Sequence, residues 1–169
     1  MLRINVTIPW RILLNDIELR LSERGIVLPT PGLPVGNYLP FRRSGSLIYI
    51  SGQLPLLDNQ VAFAGKIGRD LDLEQGQQSA RLCGINILAQ LRLALDGDLS
   101  RVTACVRLGG FVNCAEDFTE QAAVINGASD LLVEVFGDRG KHARAAVGCN
   151  ALPRGAATEV EAVFECQKP

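Results

Sequence analysis

Apolar positions along this chain recur at two spacings, and those spacings divide it into helices and strands. Leu14, Ile17 and Leu21 fall about one helical turn apart, which predicts a short amphipathic helix over residues 13–25 closed by Gly25. The run Pro29-Thr-Pro-Gly-Leu-Pro34 cannot stay helical and reads as a rigid connector. Tyr38–Arg42 and Ser46–Ile50 read as two strands around a Ser44-Gly45 turn, with Val61–Ile67 as a third, shorter one. Asp72–Asp96 is the main helix: Asp72 and Gln75 have capping-box spacing, and Gly97 is a natural stop. Its apolar positions, from Leu82 to Leu95, are too many for one stripe, so it should meet a sheet and a second helix together. Val102, Ala104, Val106 and Leu108 then alternate with Arg101, Thr103, Cys105 and Arg107 in a strand, with a bulge expected at Gly109-Gly110. A second helix covers Glu120–Phe136, with Ile125, Leu132, Val135 and Phe136 as core candidates.

Two more alternating stretches close the chain. Ala143, Ala145, Val147 and Cys149 alternate with Arg144, Ala146 and Gly148; after the breaker run Asn150–Gly155, Val160, Ala162 and Phe164 alternate with Glu159, Glu161 and Glu165. Read as a hairpin turning near Leu152 and Pro153, they set Arg144 opposite Glu161 and diagonal to Glu159, about 7–8 Å away. The plain reading of that trio is a cross-strand ion pair contributing about 0–1 kcal/mol. The chemical reading is an anion pocket, in which the arginine fork holds a carboxylate and a glutamate activates water. Sidedness decides between them, because a register slip of one residue sends Arg144 to the opposite face from the glutamates.

Strands, long helix, strand, helix and two strands make a two-layer α/β sandwich with both main helices on one face of a mixed sheet. The domain spans residues 13–169, and residues 1–12 form an arm, ordered or frayed. The other sheet face would carry apolar residues with no helix over it, which predicts cover by another subunit.

Composition narrows the function classes. The chain has 169 residues, 47% hydrophobic and 21% charged, with a net charge of −1. That is an ordinary globular balance without the basic stripe of a nucleic-acid binder. No apolar run approaches the roughly 20 residues that cross a bilayer, and the N-terminus lacks signal-peptide zoning; a cytoplasmic protein is expected. Five scattered cysteines and one histidine, His142, offer no zinc or disulfide pattern, so no metal is expected and the thiols should be buried and reduced.

With its elements placed, the chain resembles the RidA/YjgF family, also called the endoribonuclease L-PSP family, and in particular its longer bacterial branch. The resemblance is carried by Gly36-Asn-Tyr38, Leu47-Ile-Tyr-Ile-Ser-Gly-Gln-Leu-Pro55, Asp117-Phe118, Asn126, Ala143-Arg144, Leu152-Pro153 and Glu159-Val-Glu-Ala162. It implies a chorismate-mutase-like α/β fold, a homotrimer with clefts between subunits, and hydrolysis of enamines and imines such as 2-aminoacrylate and 2-iminobutyrate to 2-keto acids and ammonia, without cofactor or metal. By the same resemblance Arg144 binds the substrate carboxylate and Glu159 positions the attacking water. Tyr38, Ser51 and Asn126 line the cleft, and the Ala146 backbone helps to hold the water. The chain departs from the archetype at His142-Ala-Arg144-Ala145, where the family has Pro-Ala-Arg-Ser, and by about four extra residues between Phe118 and Asn126. His142 is read as a surface or satisfied residue, with a functional role left open by its place two residues before Arg144. Two other functions compete: a non-enzymatic trimer that binds a keto acid or similar metabolite, and an endoribonuclease, against which the charge balance argues.

Overall fold

The computed structural model describes residues 15–32 and 36–167. The predicted N-terminal arm and Leu14 lie outside these residues. Helix α1 spans Asp16–Glu23, its first turn capped by the Asn15 side chain, which accepts from the backbone of Ile17 and Glu18. Gly25 ends it at φ 63°, a left-handed conformation that costs glycine nothing. Ile17 and Leu21, one turn apart, are its buried positions.

A hairpin follows, with β1 (Phe41–Ser44) and β2 (Leu47–Gln53) joined by Gly45 and Ser46. The turn is one residue later than expected, because Gly45 supplies the positive φ. Tyr38 precedes β1 instead of belonging to it. Of the expected strand at Val61–Ile67 only Val61 lies in a regular strand, β4 (Gln60–Val61), which pairs with β3 (Leu56–Leu57). Ala64 and Ile67 make isolated bridges.

Helix α2 runs Leu73–Ala94 behind the reciprocal capping box of Asp72 and Gln75. Strand β5 is Val102–Asn113, and helix α3 is Gln121–Phe136. Strands β6 (Ala143–Cys149) and β7 (Thr158–Cys166) complete a five-stranded sheet in the order β1-β2-β7-β5-β6. Helices α2 and α3 pack on one face of it, over β2 and β7 and over β5 and β6 respectively. The expected two-layer α/β sandwich with a mixed sheet is therefore present.

Two expectations are corrected. The Gly109-Gly110 pair does not bulge; the register shifts lie between Val102 and Ala104 and between Cys105 and Arg107. The second shift breaks the alternation, so Cys105 is buried and Val106 is exposed. Gly109 and Gly110 keep their register in the ladder, and a Cβ on the first would meet the Glu161 side chain and on the second Ile125 of α3.

The larger correction concerns the closing strands, which are not a hairpin. Among the described residues β6 pairs only with β5, in parallel, and β7 lies on the other side of β5, antiparallel to it. A parallel neighbour needs a crossover, and α3 supplies it between β5 and β6. The chain then returns past the end of β5 through residues 150–157. Asn113 holds that return, its backbone N–H donating to the Ala157 carbonyl at 2.9 Å and its side-chain amide to the Ala156 carbonyl at 3.2 Å.

Small residues let the helices approach. A Cβ on Gly127 of α3 would fall against the Gln77 carbonyl of α2, a backbone atom held by its own helix, and Gly84 faces Leu131 and Ala128. Gly127→Ala should therefore lower the unfolding free energy by about 1–3 kcal/mol in urea titrations. An unchanged midpoint would contradict this packing.

Candidate functional site

Leu108 of β5 is in register with Arg144 of β6 on one side and with Ala162 of β7 on the other. Side chains in register share a face, so Arg144 goes with Leu108 and Ala162, towards the helices. Glu159 and Glu161, in register with Phe111 and Gly109, go to the open face. The expected pairing of Arg144 with Glu161 is thus absent. Glu161 pairs instead with Arg107, at 2.7 Å, a half-exposed contact in the 0–1 kcal/mol class.

The predicted site residues consequently fall into two groups. On the helix side, α3 presents Ala122, Asn126 and Ser129 along one stripe beside β6. Arg144 donates to the Asn126 side-chain oxygen at 2.8 Å, the Ser129 hydroxyl at 2.9 Å and the Ala122 carbonyl at 3.2 Å. All three acceptors are neutral, and no carboxylate among the described residues reaches this guanidinium. A guanidinium has five N–H donors, so part of the fork stays available to a ligand. Ala146 sits two residues on, on the same side of β6. Because β6 is the outer strand of the sheet among the described residues, alternate backbone groups along it have no ladder partner there.

The open face holds the second group. Glu159 is half-buried, its carboxylate lying over Gly52, where a Cβ would collide with it. Burial pushes its carboxyl up from the ordinary value, and the neighbouring Glu161 carboxylate adds to the shift. Ser51 donates its hydroxyl to the Leu39 carbonyl at 2.7 Å, fixing the approach to β1 next to the exposed Tyr38. An open cleft of about 390 Å³ lies here, lined by Leu39, Arg42, Tyr49, Ser51, Arg107 and Glu161 among others. Tyr49 and Val147, exposed at 47% and 48%, keep this face partly apolar. One chain thus brings Arg144, Asn126 and Ala146 together, sets Glu159 separately over Gly52 beside Ser51, and leaves Tyr38 exposed just before β1.

A larger cavity of about 590 Å³, at the end of β5 and β6, touches neither Arg144 nor Glu159. Lys66 lines it, with its ammonium bonded to Asn113, Cys114 and Asn150 oxygens. Cys149 lines it too, but burial raises its thiol, as it raises Cys83 and Cys105 to about 12, so these are poor nucleophiles at neutral pH. No cluster of three or more metal-ligating side chains occurs among the described residues, and no described helix is long and apolar enough to cross a membrane.

Two contributors escaped sequence reasoning, Ser129 and Arg107. Ser129 could have been found as the residue one turn beyond Asn126 on the same helix stripe; Arg107 depends on the distant pairing of β5 with β7, which brings Glu161 to it.

The Glu159 shift has a measurable sign. A carboxyl whose folded value lies above its unfolded value costs stability while ionised, and the cost disappears as pH falls through the folded value. Glu159→Gln should therefore raise the melting temperature at pH 7, with the gain shrinking as the pH drops towards 4.5, the ordinary value. Equal melting curves at both pH values would remove the buried-carboxylate assignment.

Comparison with known proteins places these features. Residues 18–163 match the family model described as "YjgF/chorismate_mutase-like, putative endoribonuclease". Protein TCP17 of Trypanosoma cruzi is 45% identical over 150 residues, 88% of this chain and 93% of that protein. The crystal structure of Atu1372 from Agrobacterium tumefaciens is 47% identical with a TM-score of 0.85, covering 90% of this chain and 93% of that one. A structure titled "putative endoribonuclease" from Shewanella oneidensis is 35% identical with a TM-score of 0.86, covering 89% and 99%.

Proposed function

Since this chain belongs to the RidA/YjgF family, we propose that it hydrolyses small carboxylated imines and enamines, of the 2-iminobutyrate and 2-aminoacrylate type, in clefts completed by a second copy of itself. The observation that carries the reading is Arg144: a guanidinium pinned by three neutral oxygens, without a carboxylate partner among the described residues and with N–H donors to spare. Such a group suits a ligand carboxylate, which it can grip through two parallel hydrogen bonds.

The second half of the chemistry comes from Glu159. Burial and the neighbouring Glu161 raise its carboxyl from the ordinary value, so it accepts a proton more readily than an exposed one. An enamine first tautomerises to the imine. Water then adds to the carbon of the protonated imine, giving one proton to Glu159 and leaving a neutral carbinolamine. Glu159 passes that proton to the nitrogen, and as the C–N bond breaks the hydroxyl gives up its own proton through Glu159 to the departing nitrogen, leaving a 2-keto acid and ammonium. Orientation and one activated water suffice for this step. Tyr38 and Ser51 line the Glu159 side, and Asn126 with the Ala146 backbone the Arg144 side.

Because the two halves lie on opposite faces, the reading requires assembly. The β6 edge of one copy, set on the partly apolar open face of the next, brings one Arg144 to another copy's Glu159. Such head-to-tail contacts close into rings, and the family resemblance makes the ring a homotrimer. RNA cleavage fits less well, since a net charge of −1 gives little phosphate attraction.

Arg144→Ala should lower kcat/KM for 2-iminobutyrate by about 10–100-fold, and Glu159→Gln should lower kcat by about 100-fold. Neither alone proves a shared cleft, but refolding the two variants together does. In an equimolar mixture about a quarter of clefts pair an intact arginine with an intact glutamate, so about a quarter of the parent rate should return. A mixture as inactive as its components would end the shared-cleft reading. A parent without turnover that still binds 2-oxobutyrate through Arg144 would make the protein a metabolite binder.

A further inference from the structure

The hydrogen bonds around Arg144 continue past the residues that touch it. His142 Nδ1 lies 2.6 Å from the Gly140 carbonyl, and its Nε2 lies 3.0 Å from the Ser129 hydroxyl. A carbonyl only accepts, so Nδ1 carries the hydrogen, and in the neutral ring Nε2 has a lone pair to offer. Ser129 has one proton, and it goes to that lone pair. The hydroxyl oxygen is left with its own lone pairs directed at Arg144, whose Nη1 donates to it at 2.9 Å. The direction of every bond in the series follows from the first: Arg144 donates to Ser129, Ser129 to His142, and His142 to the Gly140 carbonyl.

We propose that Ser129 and His142 are positioning residues for the Arg144 fork, a relay that holds the guanidinium in the one orientation from which it presents its remaining donors to a substrate carboxylate. The inference rests on the proposed hydrolysis for its use, though not for its existence. An exposed arginine otherwise samples many rotamers, and ordering it on ligand binding lowers affinity. Here the ordering is done in advance. Ala122, Asn126 and Ser129 fix the far edge of the guanidinium, and His142 fixes Ser129, whose hydroxyl would otherwise be free to rotate its proton into the arginine. The backbone carbonyl of Gly140 is a rigid end to the series, because Gly140 is buried against Leu132 of α3, where no Cβ would fit. Neither Ser129 nor His142 needs to meet the substrate.

Two measurements test this. In the first, hydrolysis of 2-iminobutyrate is followed in Ser129→Ala, His142→Ala, His142→Gln and the Ser129→Ala/His142→Ala double variant. Ser129→Ala should raise KM about 5–10-fold with kcat within about twofold. His142→Ala should move the same parameter less. The double variant should equal Ser129→Ala alone, since His142 acts only through the serine. His142→Gln, whose side-chain carbonyl can accept the Ser129 proton, should recover most of the loss. Unchanged KM values, additive effects, or no recovery with glutamine would each overturn the relay. The second measurement needs no activity. His142 is the one histidine in the sequence, so its ring nitrogens give an unambiguous nitrogen-15 signal pair. The parent should show the Nδ1–H tautomer, and Ser129→Ala should displace the Nε2 resonance whereas Arg154→Ala should not. An Nε2 resonance indifferent to Ser129 overturns the relay whatever the kinetics. A parent that fails to hydrolyse the imine overturns the proposed reaction instead, and the resonances still decide whether the relay exists.

Discussion

The ladder through β5 governs this molecule. One strand is bonded to β6 on one side and β7 on the other, with Leu108 common to both registers. A strand's side chains alternate strictly between faces, so every candidate group inherits its side from its offset relative to Leu108. Arg144 inherits the helix side; Glu159, Glu161 and Arg107 inherit the open side. No rotamer change carries a side chain through the sheet. The separation of arginine from glutamate is therefore a property of connectivity, and on the reading proposed above a second polypeptide closes the gap.

The helix layer makes its own contribution. Helix α3 is both the crossover that puts β6 parallel to β5 and the platform that holds Arg144. Its position is set by close contact with α2, where glycines replace side chains at Gly84 and Gly127. The same helix buries Ile125, Leu132, Val135 and Phe136 and turns Asn126 and Ser129 towards β6. Core packing and site geometry are thus settled by one element, with about 3.6 residues per turn separating the two duties.

Much of this was legible in the sequence because the signals are local. The Asp72–Gln75 box, the Gly25, Gly45 and Gly97 breaks and the apolar stripe of Glu120–Phe136 each act within one or two turns of chain. Where reading failed, the deciding contact was distant. The alternating stretches around Arg144 and Glu159 do form strands, but whether they pair with each other or with a third strand is decided by β5, some thirty residues upstream of β6. Proximity in sequence favoured a hairpin; the crossover through α3 ruled it out. The bulge between Cys105 and Arg107 was invisible for a related reason, since it is created by the mismatch with β7. The candidate residues themselves came from resemblance, and their division between two faces came from the register.

Each copy of the chain carries one arginine half and one glutamate half, facing different ways. On the reading proposed above, counting follows. A closed ring of any size has as many complete clefts as copies, while an open row always has one fewer, with an idle arginine at one end and an idle carboxylate at the other. Closure of the ring therefore has a catalytic value apart from any stability it adds, and a lone copy, however well folded, would hold two unfinished halves.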